Sequence, residues 1–476
     1  MNERTRKSNQ STKPVLFLAS CVLFGAQHTL GQSLYTSALV LRDGSTQDDG
    51  CTAICVDGSG DVIVAGSSEG DFGGTPAGLN DIFVAKFDKD GTELWRRQIG
   101  STADDDATGL DTDGQGNIYV CGQTKGVLTS PTGGFYDAFL TRLDCDGTIV
   151  WTRQFGTLSI DGAWSVAANS SGDTYLCGWT LDSLGGPNLG NYDCFIVKYD
   201  SGGTQVWARQ FGTVHDDSVR GIALDTNGDV LVAGSTMGSF GGVAFGDSDV
   251  YLVRFDESGD TQWIRQVGSA SYDSASGVAV DPVGNSYVVG TTLGDLGGPN
   301  LGHSDAYTAK FSPDGEHLWT RHHGTSLWDY ATSVGTDESG YAFVAIRWLH
   351  GPFTFFGTDA RAIKYSPGGA TLWLETVSTS DNDSWGATAI DKAGRVWFAG
   401  TTNEGTGNDN DLLISRFDPK QCYADCDDDG VTDYNDLICF HLAHAAGNPY
   451  SDCTEDGVFD IFDYLCFQNS LVGGCP

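Results

Sequence analysis

A tryptophan returns along this chain at a fixed interval. Trp95, Trp151, Trp207, Trp263 and Trp319 lie 56 residues apart, and Trp373 follows after 54. An aspartate keeps the same beat at Asp81, Asp137, Asp193, Asp249, Asp305, Asp359 and Asp411. Five residues after each stands a cation: Lys86, Arg142, Lys198, Arg254, Lys310, Lys364 and Arg416. Seven copies of one unit fill residues 35 to 418. A unit of this length buries its apolar face only against its neighbours, so the chain folds as a propeller, a solenoid or an array.

The second copy shows what one unit folds into. Asn117 to Gly122 alternates and is rich in β-formers, and a Gly/Ser/Thr-rich loop leads from it to a second strand, Asp137 to Leu143. Asp144-Cys145-Asp146-Gly147 reads as a hairpin turn, with glycine where a positive φ is needed. Thr148 to Phe155 is a third strand and Ala163 to Ala167 a fourth. Four short antiparallel strands, seven times over, describe an all-β, seven-bladed β-propeller rather than a parallel β-helix, whose coils lack tight hairpins. The domain is expected to span 34–418.

The phase of the repeat suggests how the ring closes. The N-terminal stretch, Leu34 to Asp57, is read as third and fourth strands, with Leu39 standing 56 residues before Trp95. The last copy ends on first and second strands, Val396 to Ala399 and Leu412 to Phe417. Six continuous blades and a seventh with 2+2 closure are therefore expected. The repeated tryptophan is expected to wedge between blades, since a large aromatic buries roughly 150–250 Å². The repeated Asp and Lys/Arg are expected to cap and pair within the blade. Units such as Gly277-Val278-Ala279-Val280-Asp281-Pro282-Val283-Gly284-Asn285 through Thr292 resemble the bacterial SBBP β-propeller repeats. That resemblance covers about four-fifths of the chain and implies the fold. It carries over no catalytic residue.

Charge narrows the partners. With 63 acids against 26 bases the net charge is −37, which opposes binding to nucleic acid or anionic membranes and favours divalent cations. Arg4, Arg6, Lys7 and Lys13 precede an apolar run from Val15 to Ala26, too short to span a bilayer. Residues 1–31 read as a secretory signal peptide, with maturation before Gln32. Leu18-Ala19-Ser20-Cys21 also resembles a lipoprotein box, which leaves a lipid anchor at Cys21 as the alternative. No membrane span is expected.

Connections between first and second strands, and between third and fourth, share one face of a propeller, and the tight hairpins share the other. The first face carries the long loops, among them Gly185-Gly186-Pro187-Asn188-Leu189-Gly190 and Gly297-Gly298-Pro299-Asn300-Leu301-Gly302. It also collects acids: Asp104 to Asp106, Asp216, Asp217, Asp273, Asp329, Asp381 and Asp383. Trp179, Trp328, Trp348 and Trp385 break the repeat and are the candidate stacking surfaces for a glycan. Gly66-Ser67-Ser68-Glu69-Gly70 matches a nucleophile-elbow pattern, yet Ser68 fills the place of Thr124, Thr180, Thr236 and Thr292. The match is a coincidence of the repeat, because an elbow needs a strand-turn-helix in an α/β sheet. His322-His323, with His303, His317 and His350, shows no zinc-ligand spacing.

Residues 419–421 read as a linker, and 422–476 leave the pattern, with six of the thirteen cysteines and a second repeat of 27 residues. Asp425, Asp427, Asp429, Val431, Asp433 and Asp436 stand at positions 1, 3, 5, 7, 9 and 12 of a loop with Gly430 at position 6. That is calcium-loop spacing: alternate carboxylates converge on one hard cation, glycine makes the bend, and position 7 gives its carbonyl. Asp452, Thr454, Asp456, Val458, Asp460 and Asp463 repeat it around Gly457, and Thr454 makes the second site the weaker. Helices are expected at Leu437 to Ala445 and Tyr464 to Leu471. The cofactor is thus Ca2+. Two such loop-helix units resemble a dockerin module, which implies a cohesin-like or other envelope protein as partner. In an oxidising compartment the tail cysteines form disulfides; Cys426–Cys439 and Cys453–Cys466 are the symmetric candidates, and spacing leaves connectivity open.

The expectation is an exported, non-catalytic binding or display propeller on a calcium-dependent docking module. Its rivals are a polysaccharide-degrading enzyme or accessory, and a structural component of the cell envelope.

Overall fold

The computed structural model describes residues 35–129, 134–350, 357–377, 383–403 and 410–419. The expected signal peptide, the expected calcium loops and helices of the tail, and the candidate disulfides fall on residues outside those described. Among those described, the strands run from β1 (Tyr35–Asp43) to β28 (Asp411–Pro419) and form seven four-stranded sheets. Blade I comprises β2 (Asp49–Val56), β3 (Val62–Ser68), β4 (Asp81–Phe87) and β5 (Glu93–Ile99), from the axis outward. Five further blades repeat that order. Their inner strands are β6 (Asp105–Thr112), β10 (Asp161–Ala168), β14 (Asp217–Leu224), β18 (Asp273–Val280) and β22 (Asp329–Thr336).

The seventh blade corrects one expectation. It is ordered β1-β28-β27-β26, with β26 (Asp383–Ile390) innermost and β27 (Val396–Thr402) beside it. Closure is therefore three strands plus one, not two plus two. The reason is turn length. Asp57 N donates to Asp61 O at 2.9 Å and Gly60 takes φ +82°, so a tight hairpin joins β2 directly to β3. The strand read as the fourth of one unit is thus the innermost strand of the next sheet. The segment after Ile99 crosses between blades, and the N-terminus lends the seventh blade its outer strand alone.

The second strand of each blade is buried on both faces, which explains its near-continuous apolar runs: Val62 to Ala65 and Ile118 to Cys121 are fully buried. The core lies between blades. One cluster joins Ala53, Ile63 and Val84 of blade I to Ala107, Val120 and Phe139 of blade II. Burying each such large side chain contributes about 1.5–3 kcal/mol.

The repeated tryptophans do hold neighbouring blades together, from the outer strand. From Trp95 to Trp319, five indole N–H groups donate to a hairpin carbonyl of the next blade, among them Trp95 to Cys145 O (2.9 Å), Trp207 to Glu257 O (3.1 Å) and Trp263 to Pro313 O (3.0 Å). In blade I the repeated aspartate caps and the repeated cation pairs within the blade, each with partners of its own. Asp81 accepts from Ala77 N (2.7 Å) and from Gln98 Nε2 (3.0 Å), capping the loop before its strand. Lys86 pairs with Asp57 (2.7 Å) and Asp61 (3.2 Å) in the inner hairpin of its own blade.

Candidate functional site

Every inner strand carries a one-residue bulge. The register slips between Cys51 and Ala53, Ala107 and Gly109, Ala163 and Ser165, Val219 and Gly221, Ala275 and Gly277, Ala331 and Ser333, and Trp385 and Ala387. A bulge leaves its extra residue unpaired and re-aims it. Small residues beside the bulge let adjacent inner strands approach: a Cβ on Gly221 would lie 2.9 Å from Val278 N. The bulged residues are Thr52, Thr108, Trp164, Arg220, Ser276, Thr332 and Gly386, and all seven line a single axial cavity of about 700 Å³.

The ring they form is uneven. Thr52 Oγ1 donates to Ala107 O (2.8 Å) and Thr108 Oγ1 to Ala163 O (3.0 Å), each tying its blade to the next. Thr332 Oγ1 turns back to Ala345 O (3.3 Å) in its own blade. Trp164, Arg220 and Ser276, on three consecutive blades, make no such bond. Arg220 instead sets its guanidinium carbon 3.9 Å from the centroid of the Trp164 ring. Burial draws the Arg220 guanidinium below its usual value, and Tyr272 acts in the opposite sense.

The cavity opens on the face of the long loops. Ser218, Ser274 and Tyr330, second residues of their inner strands, lead to Thr291, Leu293 and Tyr272 at that mouth. Tyr272 is 40% exposed and bridges in parallel to Ser248, which fixes its loop. Charge is scarce here: among the described residues, Arg220 is the one charged side chain lining the cavity.

Of the tryptophans singled out by sequence, Trp385 is only 1% exposed and packs against Phe398 (5.5 Å), so it is core and not a stacking surface. It fills the place taken by Cys51, Ala107 and Ala331 in other blades, where a side chain points between sheets. Trp179 is partly exposed, with Tyr192 against it at 5.5 Å. Trp328 is partly exposed and stacks on His303 at 4.3 Å. Trp348 lies beneath Arg361. None of these tryptophans lines the axial cavity.

The acidic loop face is also corrected. Asp105, Asp217, Asp273, Asp329 and Asp383 are buried at the heads of inner strands, and the first four tie down the loop before them. Asp273 Oδ2, for example, accepts from Ser269 N (2.5 Å) and Ser269 Oγ (2.8 Å). Burial raises the carboxyl pKa of Asp49, Asp105, Asp217, Asp273 and Asp329. Asp104, Asp106 and Asp216 are partly exposed, and Asp381 lies outside the described residues.

His322 and His323 are accounted for by packing. His322 Nε2 sits 3.0 Å from Asp305 Oδ2, where Gln98, Gln154, Gln210 and Gln266 donate in sister blades. His323 lies 3.2 Å from Arg361 Nη1, and burial, then the Arg361 and His322 charges, push it down to about 4. Ser68 Oγ accepts from Gly70 N (3.1 Å), as Thr124 accepts from Gly126 N (2.9 Å), which is a turn and not a nucleophile.

Sequence reasoning missed Trp164 and Arg220. The signal was present, since one repeat position reads Thr, Thr, Trp, Arg, Ser, Thr, Gly around the ring. What was lacking was the bulge that turns that position toward the axis.

Comparison with known proteins agrees with this fold. Residues 94–128, 206–241 and 262–297 match the SBBP beta-propeller repeat family. Regulatory protein FlaEY of Caulobacter vibrioides is 27% identical over 66% of this chain and 36% of its own length. An uncharacterized WD repeat-containing protein, L264, of Acanthamoeba polyphaga mimivirus is 22% identical over 31% of this chain and 14% of its own. The chain thus spans about a third or less of the curated relatives it matches. Among solved structures, a PL25 ulvan lyase bound to a GlcA–Rha3S saccharide aligns at 12% identity over 78% of this chain and 95% of its own, with a TM-score of 0.48. A likeness at that level carries no argument about what this chain acts on.

Proposed function

We propose that this chain is an exported binding propeller carried by a calcium-dependent docking module. The observation that carries the reading is where the repeat breaks: Trp164, Arg220, Tyr272 and Tyr330 depart from their sister positions at one axial cavity that opens on the loop face. These are side chains that recognise a ligand by charge, stacking and hydrogen bonds, set on a rigid ring. A cavity of about 700 Å³ falls within the usual range for small-ligand sites. The docking half rests on the two calcium-loop sequences, Asp425 to Asp436 and Asp452 to Asp463, and on their resemblance to a dockerin.

Two measurements on the full chain test the halves separately. Binding of soluble polysaccharides with no release of reducing ends supports a non-catalytic propeller. Release that is lost in an acid-to-amide variant of the loop face, such as Asp104→Asn, overturns it. For the module, calorimetric titration with calcium is expected to show a stronger and a weaker site. Asp427→Asn removes the stronger one, and heat unchanged by that substitution defeats the assignment.

A further inference from the structure

One cation in the channel wall is answered by no carboxylate among the described residues. The repeat's own cations close on carboxylates: Lys198 on Asp173 (3.2 Å), Arg254 on Asp229 (2.9 Å) and Lys310 on Asp281 (3.3 Å). Arg220 has no carboxylate within 4.0 Å and no hydrogen-bond acceptor among the described residues, although the chain holds 63 acids against 26 bases. The Trp164 ring holds its guanidinium by a cation–π contact, which leaves the in-plane N–H donors for another partner. Those donors match the fork of a carboxylate or sulfate group.

The rest of the wall points to what bears that group. Ser218, Ser274 and Ser276 bring hydroxyls to the channel, and Tyr272 and Tyr330 bring aromatic rings with hydroxyl tips. A wall of that kind suits a hydroxyl-rich ring compound. A phosphate dianion calls for more positive charge, and among the described residues Arg220 is the only charged one lining the cavity.

We propose that Arg220, braced by Trp164, anchors an anionic saccharide in the axial channel through a single carboxylate or sulfate group. This rests on reading the propeller as a binding protein and adds the class and charge of its ligand. Recognition is by charge at one point and by hydroxyls and aromatic rings toward the mouth.

The test is calorimetric titration of the full chain with four probes: an oligogalacturonide, a sulfated neutral-sugar oligosaccharide of similar length, the carboxyl-reduced form of the first, and inorganic phosphate. One of the two charged saccharides is expected to bind at one per chain, roughly 10- to 100-fold tighter than the reduced form, the range for a hydrogen-bonded charge. Which of them binds identifies the anionic group. Arg220→Gln is expected to abolish the preference for charge, and Arg220→Lys to keep part of it. Trp164→Thr installs the residue found in blades I and II, so it tests the brace with a side chain this position already accepts; it is expected to weaken the charged ligand alone.

Melting curves matching the native chain show that the variants are folded. Equal binding of charged and reduced saccharides, unmoved by Arg220→Gln, overturns the anionic inference and leaves a saccharide-binding propeller standing. No saccharide binding by the native chain overturns both. Phosphate binding without saccharide binding refutes the ligand class.

Discussion

Trp207 and Arg209 leave the same outer strand and close together on one hairpin. The indole donates to Glu257 O (3.1 Å) and the guanidinium Nε to Gly259 O (3.1 Å). Gly259 takes φ +80°, and a Cβ there would lie 3.0 Å from the Trp207 ring, so the glycine is required both by its conformation and by the ring above it. The same three-part clamp recurs at Trp151, Arg153 and Gly203. Trp207→Ala removes a half-buried ring and orphans a carbonyl at a blade junction. We expect it to lower stability by about 2 kcal/mol, below the 3–5 kcal/mol typical of a fully buried tryptophan. Gly259→Ala is expected to cost about 1–2 kcal/mol for the left-handed backbone alone. Urea unfolding of both variants checks this, and a Trp207→Ala protein as stable as the native chain would show that the clamp holds nothing.

At the scale of the element, the strand that differs most from its sisters is β1. Leu39 and Leu41 stand where other blades have the clamp's tryptophan and arginine, and a Cβ on Gly91 would lie 2.8 and 3.1 Å from their methyl groups. Two apolar contacts thus replace two hydrogen bonds at the junction that closes the ring. The carbonyl a tryptophan would use is Lys89 O, already an acceptor for Arg416, and sister blades share that carbonyl between both donors: Pro313 O accepts from Arg254 and from Trp263. Leu39→Trp is therefore expected to stabilise the protein by about 1 kcal/mol, read as a higher melting temperature. A lower one would mean that the closing strand cannot move far enough to seat the ring. This element also shows what the sequence could and could not tell. The interval between Trp95 and its sisters identifies the unit and its seven copies. It does not say where a blade begins, because periodicity is blind to phase. The short turn at Asp57 to Asp61 carried that information, through the rule that a tight hairpin joins neighbours in one sheet. Arg220 was visible as a departure from the repeat for the same reason that it stayed unassigned: its direction depends on a bulge, and a bulge leaves no mark on spacing.

For the molecule as a whole, the ring gathers carboxylates at the heads of its inner strands and keeps them dry. Asp49, Asp105, Asp217, Asp273 and Asp329 head their inner strands, and burial raises each above the ordinary value of 3.8. The charge of a second aspartate adds to each of the five, as Asp81 does to Asp105 and Asp249 to Asp273. A group whose folded pKa is raised binds its proton more readily in the folded than in the unfolded chain. Its stabilising contribution is complete below the unfolded value and is lost as pH rises through the folded one. Asp111, lifted by burial to about 6, acts in the same sense and places its share of the loss near that pH. His323 works the other way: held down to about 4, it favours the unfolded chain as pH falls from 6.5 toward that value. Six carboxylates act in one sense and one imidazole in the other, and protonation also relieves the repulsion of a chain with net charge −37. The propeller is therefore expected to melt at a higher temperature at pH 5.5 than at pH 7.5. Scanning calorimetry of the full chain in chelator checks this, since chelation keeps any calcium bound at the proposed loops from adding its own pH dependence. Asp105→Asn, which keeps an acceptor oxygen for Ser101 N and removes the titration, should flatten part of the slope. A melting temperature that falls steadily from pH 7.5 to 5.5 would mean that the buried carboxylates keep their charge at no cost, and that the ring supplies them with more donors than their Oδ2 contacts alone.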